Sequence, residues 1–269
     1  RIQTAVGIAE PIQAQGARII RSAMPDQHRE LFHKLPFLTL GITDVSGQPH
    51  ATLIPGWPGF LSSPDAKTLV VAARPVDGDP VADMLVEGGS VGTLGIELAS
   101  RRRNRMNGRL SQISHDGYAI RVQQSFGNCP AYIHIRGHHI LEDRIRSPRA
   151  AALNRHASLP PRLARRIETA DTFFIASRAA TLDHAPWEGV DVSHRGGRPG
   201  FVRVDGTSCL VFPDFSGNKH FNTLGNILQD ARIGLVFPDF RTGDMVSLTG
   251  NAEIIWDGPE VGAFAGAER

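Results

Sequence analysis

The chain has 269 residues, 41% hydrophobic and 21% charged, with a formal net charge of +2. That length suggests one or two domains with a substantial core, and so small a charge gives no argument for nucleic acid. No run approaches the roughly 20 apolar residues of a membrane span.

Cys129 and Cys209 stand apart, outside any Cys-x-x-Cys pair. They make no disulfide framework, and a reduced cytoplasmic protein is expected. Cys129 is expected to be buried and inert. The start, Arg1 to Val6, lacks a basic region followed by an apolar run, so no secretory signal is read there. The missing initiator Met and the unclosed end at Arg269 fit a piece of a longer chain.

Residues 1–35 read as an N-terminal helical segment. Its regular part is a short helix after Pro25, with Asp26 as N-cap, Glu30 in the first turns and Pro36 as the stop. The first barrel-like half is placed at 36–136. Phe37 to Ile42 is an apolar strand, Asp44 to Gly47 a turn, and His50 to Ile54 the returning strand. Thr68 to Ala73 is a third strand. Asp79 to Glu87 has helical spacing, with Val81, Met84 and Leu85 on one face. Ser90 to Glu97 is a fourth strand, and 109–124 holds a fifth and sixth. Residues 137–169, rich in charge and proline, form a connector with helical pieces. The second half is placed at 170–269. It opens with a strand at Asp171 to Ser177 and closes on a strand pair across Met245 to Trp256. Strands with few helices and no regular βαβ alternation predict a mainly β, α+β fold or barrel rather than a doubly wound sheet.

The two halves echo one another. Pro58-Gly59-Phe60 returns as Pro199-Gly200-Phe201, and Leu69-Val70 as Leu210-Val211, both at an offset of 141 residues. Ser90-Val91-Gly92 faces Arg232-Ile233-Gly234, and Asn107-Gly108 faces Thr249-Gly250, both at 142. Two large copies imply a pseudo-symmetric pair with a self-complementary face.

The richest stretch runs Gly189 to Val204, then Leu210 to Asn226, then Ile233 to Phe240 and Met245 to Trp256. Ser216-Gly217-Asn218-Lys219 ahead of a helix has the small, polar, basic character of an anion site. Arg195 and Lys219 can supply charge, and Phe201-Val202 can supply an apolar wall with backbone donors and acceptors. Each has a plainer reading: Asp214 as a turn residue, Arg198 as a solvated loop charge, Phe201 as core, Asn226 as a helix-end cap. The arginines at 101, 102, 103 and 105, with Arg109, read either as a charged hairpin edge or as an anion site facing the second half. Gln124 to Pro130 reads either as a tight turn or as a source of polar groups, Ser125 and Asn128, for that site. No G-x-G-x-x-G, P-loop or G-x-S-x-G is present, and His134, His138 and His139 lack a further ligand at metal spacing.

The order of these segments resembles the flavin-binding core of the pyridoxamine 5'-phosphate oxidase family. Arg232-Ile233-Gly234-Leu235-Val236-Phe237 and Leu248-Thr249-Gly250-Asn251-Ala252 match two of its strands. Asp171 to Ser177, Asp191 to Gly197, Pro213 to Asn218 and Asn222 to Asn226 resemble its flavin-nucleotide-binding branch. So do Leu35-Pro36-Phe37, Gly95 to Leu98, Arg101 to Arg105 and Gln124 to Pro130 in the first half. The resemblance covers about residues 27–256 and implies tandem FMN-binding split β-barrels with short flanking helices.

It assigns the FMN phosphate to Arg195, Asn218, Lys219 and Asn222, with Ser193 nearby. The family's basic pair falls on Asn222-Thr223 or on Asn218-Lys219, according to where the gap is placed. Phe201, Val202, Asp214 and Gly217 complete the expected cofactor set, with Ser125 and Asn128 from the first half. An FMN-dependent oxidoreductase of unknown substrate is the implied activity, with no catalytic residue named and no metal. A reduced nicotinamide, or a reductase domain or partner, is the expected electron donor. A flavin, deazaflavin or haem binding module without turnover is the alternative. Vitamin B6 oxidation is not expected, because no Arg-x-His element follows Trp256. The duplication either replaces a homodimer or stacks upon one.

Overall fold

The computed structural model describes residues 19–140, 152–182, 185, 188–217 and 220–269. Parts of the N-terminal segment and the connector lie outside these residues, as do Asn218 and Lys219.

The first half opens with helix α1, Asp26–Lys34. Seven strands follow: β1 Phe37–Thr43, β2 Pro49–Pro55, β3 Leu61–Ser62, β4 Thr68–Val71, β5 Ser90–Glu97, β6 Arg102–Ser111 and β7 Tyr118–Gly127. They form one sheet, ordered β2-β1-β5-β6-β7-β4-β3. Helix α2, Pro161–Glu168, leads to the second half. There β8 Thr172–Arg178, β9 Val190–Gly196, β12 Arg232–Pro238 and β13 Met245–Asn251 form a sheet ordered β13-β12-β8-β9. Strands β10 Arg203–Asp205 and β11 Cys209–Val211 form a separate pair. Helix α3 is Asn222–Ile227 and α4 is Pro259–Gly262. All pairings are antiparallel among the named strands. The fold is mainly β, an α+β arrangement of split-barrel type. No described helix is long and apolar enough to cross a membrane.

Strand alternation explains why β1 and β8 are buried on both faces. Leu38, Leu40 and Ile42 of β1 enter the first half's core. Phe173 and Ile175 of β8 enter the second half's core. The opposite faces meet between the halves. There Phe37, Leu53, Leu94, Ile96 and Ile133 pack with Phe174, Ala176, Val192 and Val236. Each large side chain buried in this way contributes about 1.5–3 kcal/mol. Close approach requires small residues. A Cβ on Gly92 would lie 2.6 Å from the Val190 carbonyl oxygen, and one on Gly234 would lie 2.5 Å from that of Pro49.

Four expectations need correction. Pro25, not Asp26, is the N-cap of α1, and Asp26 is instead the first helical residue, paired with Arg29 at 2.8 Å. The helix expected at Asp79 to Glu87 is a single 3-10 turn, Pro80–Met84, because the Asp79 side chain accepts from the Val81 N–H at 2.9 Å. Strand β6 starts at Arg102 rather than 109, so most of the arginine run lies within a sheet. Met245 to Trp256 holds one strand, not two.

Candidate functional site

Strand alternation places Arg103 and Arg105 of β6 on one side, while Arg101 and Arg102 are exposed. That side faces β9 of the second half. Arg105 is buried. One guanidinium nitrogen pairs with Asp191 at 3.0 Å, and another donates to Ser193 Oγ at 2.6 Å. Its guanidinium carbon lies 5.3 Å from the centre of the Phe126 ring. Asn107, also on β6, donates to Asp191 at 3.2 Å. Thr223 of α3 donates to Ser193 Oγ at 2.8 Å. Arg103 lies 3.4 Å from His194 Nδ1, and Arg195 donates to Asp214.

These groups border a cavity of about 120 Å³. Arg103, Arg105, Arg195, Ser193, Asn128 and Thr223 are part of its wall. The Nε atoms of all three arginines are buried with no hydrogen-bond partner, and so are Asn128 Oδ1 and His194 Nε2. Such groups cost roughly 1–3 kcal/mol each while unmade. Burial pushes the Arg105 guanidinium below its ordinary pKa, while Asp191 opposes the shift. Burial, with Arg105 adding, brings Arg103 down to about 10, still cationic at neutral pH. Burial first, then Arg103 and Arg195, holds His194 well below the usual histidine range, so it is neutral.

The cavity is smaller than the roughly 300–1,000 Å³ of pockets that enclose a drug-sized ligand. It suits the anionic end of a ligand. A larger groove of about 2680 Å³ shares Arg195, Asp214, Thr223 and Leu224 as a common wall.

Of the residues singled out in the sequence, Ser193, Arg195, Phe201, Asp214, Gly217, Asn222 and Asn128 border the cavity together. Phe201 is also core, stacked on Phe173 with ring centres 5.7 Å apart. Val202 does not reach the cavity and is buried in the second half's core. Ser125 is likewise absent from the wall. Alternation along β7 puts it opposite to Phe126, where it meets His28 Nδ1 at 2.9 Å. Asn218 and Lys219 lie outside the described residues. Phe221 is the N-cap of α3, with a left-handed backbone, φ 55°, and no side-chain cap. Cys129 is exposed, contrary to expectation.

Arg103, Arg105, His194 and Thr223 were absent from the expected cofactor set. The arginine run was the available signal, but a strand read as starting at 109 hid which arginines point inward.

The wall is braced from behind by the last residues. Asp214 N–H donates to the Arg269 carbonyl and Glu268 N–H to that of Asp214, both at 2.9 Å. The Arg269 guanidinium reaches Asp214 at 3.4 Å and lies 4.7 Å from the Phe221 ring centre.

No family model and no curated protein matches the chain. Among solved structures, tagged HupZ from group A Streptococcus, at 1.70 Å resolution, is similar at 13% identity. The match covers 39% of this chain and 93% of that one, with a TM-score of 0.31. A point variant of the same protein gives 13% identity, coverage of 39% and 98%, and a TM-score of 0.30. Likeness at this level carries no argument about chemistry.

Proposed function

We propose that the cleft takes the phosphate of flavin mononucleotide, and that the chain is an FMN-dependent oxidoreductase of the pyridoxamine 5'-phosphate oxidase-like kind. The supporting observation is the convergence of Arg103, Arg105 and Arg195 on one small cavity. Guanidinium forks match phosphate oxygens in both charge and geometry. Thr223 and Ser193 hold the wall in place, Thr223 donating to Ser193 Oγ and Ser193 to Asp191. Asp191 and Asp214 orient two of the arginines, and neutral His194 adds no competing charge. The adjoining groove, with Leu224 and Phe212 in its wall, gives room for a ring system. When bound, the flavin supplies the electron transfer, and the protein supplies position and electrostatics. A reduced nicotinamide is the proposed donor.

A second reading is a flavin-binding module without turnover. It is favoured by the state of the carboxylates: Asp191 is tied to Arg105, and Asp214 to Arg195 and Arg269. Neither stands ready as a general acid or base.

The test is an absorption spectrum from about 300 to 600 nm after reconstitution with FMN, with the released compound identified by mass. Twin flavin bands are expected. Steady oxidation of a reduced nicotinamide selects the enzyme, and bands without turnover select the module. A protein that takes up no FMN overturns both.

A further inference from the structure

The two halves are related by a pseudo-twofold axis, and that symmetry creates a second cleft. The order β2-β1-β5-β6 in the first half repeats as β9-β8-β12-β13 in the second. The registers agree residue by residue. Gly41 pairs with Gly92 and Ala51, while Ala176 pairs with Gly234 and Val192. The contacts between halves repeat as well. Gly92 abuts Val190 and Asp191, and Gly234 abuts Pro49 and His50. The mate of the β6–β9 cleft therefore lies between β13 and β2.

Register also names the counterparts. Leu94 pairs with Arg105 and Ile96 with Arg103, whereas Val236 pairs with Ser247 and Pro238 with Met245. Ser247 and Met245 thus stand where Arg105 and Arg103 do. On the other wall, Leu38 pairs with Ile54 and Leu40 with Thr52, whereas Phe173 pairs with Arg195 and Ile175 with Ser193. Ile54 therefore stands for Arg195, and it is fully buried. Thr52 stands for Ser193, and it donates to the Asp79 carboxylate. None of the three arginines has a basic counterpart, while the hydroxyl retained in place is engaged by an acid in both clefts, Thr52 by Asp79 and Ser193 by Asp191.

We propose that each chain holds a single phosphomonoester, in the β6–β9 cleft, and that the pseudo-equivalent β13–β2 cleft takes no anion. Two cations come from the first half. The third cation comes from the second, so the ligand bridges the two halves. A dianion entering the first cleft meets Arg103, Arg105 and Arg195. In the second cleft it would meet Asp79, the Ser247 hydroxyl and His50, the counterpart of Asp191, with no guanidinium at any of the three arginine positions. This inference rests on the phosphate reading above, but not on the flavin.

The experiment is a calorimetric or dialysis titration of the full chain with inorganic phosphate, and in parallel with FMN. One phosphate per chain is expected. Arg103→Gln and Arg195→Gln should each weaken it at least tenfold, and Thr52→Val should leave it unchanged within twofold. These variants keep the Arg105–Asp191 pair, and their circular dichroism checks folding. Two phosphates per chain, or one that survives both arginine substitutions, overturns the inference whatever the flavin does. One arginine-dependent phosphate with no FMN uptake sustains it and removes the flavin reading. Uptake of neither removes both.

Discussion

Arg105 is a charge from one half held by oxygens of the other, and its energetics follow from burial. Arg105→Met leaves Asp191 buried without its cation, at an expected cost of about 3–5 kcal/mol in urea unfolding. Adding Asp191→Leu should recover most of that loss, because a buried pair exchanged for apolar groups is near neutral. Phosphate binding should stay lost in the double variant, separating stability from recognition. His28 carries a pH signature. Burial, then Arg21 and Arg102, lowers it from 6.5 to about 4. Below pH 6.5 the unfolded chain takes up this proton first, so stability is full above that value and falls toward pH 4. Buried His194 acts in the same direction. His28→Gln, which retains a polar partner for Ser125, should flatten part of this fall when urea midpoints are compared at pH 7.5, 6 and 5. The family resemblance marked Ser193, Arg195 and Asp214 as candidates. It could not show that Val202 turns into the core or that Ser125 faces His28, because those directions depend on strand phase.

Strand β5 was legible end to end, and β1 and β8 nearly so, because each is rich in apolar and small residues and bounded by clear turn signals. β6 was not, since the arginines from 101 to 109 read equally as a hairpin edge or as an anion site until β9 and its carboxylate are brought opposite. The turn at Pro80–Met84 has helical spacing but no length, and the Asp79 cap and tertiary packing settle its form. Gly92 on β5 and Gly234 on β12 lie where the two halves approach closely. Gly92→Ala and Gly234→Ala should each destabilise by about 1–3 kcal/mol, since the added carbon meets backbone that cannot swing aside. Gly250→Ala on β13, with nothing within 4 Å, should stay within about 0.5 kcal/mol. Thermal melts of the three variants provide the check.

At the scale of the whole molecule, the two cores are joined by a third cluster drawn from both sheets. The halves should therefore unfold together, giving one calorimetric transition with equal calorimetric and van't Hoff enthalpies. Two resolved transitions would show independent halves. The sequence by itself determined the mainly β class, the two-part chain and the internal echo, because period-2 apolar runs, turn residues and repeated spacings are local properties. The family resemblance singled out Ser193, Arg195, Asp214 and Asn222, which border the cleft. Only the tertiary structure decided that Arg103 and Arg105 complete that cleft from the other half, and that its pseudo-twofold mate lacks them. Those facts depend on which strand faces which across more than 80 residues of chain, as with Arg105 and Ser193, separated by 88. Such pairings follow from register and packing between sheets, which no local pattern encodes.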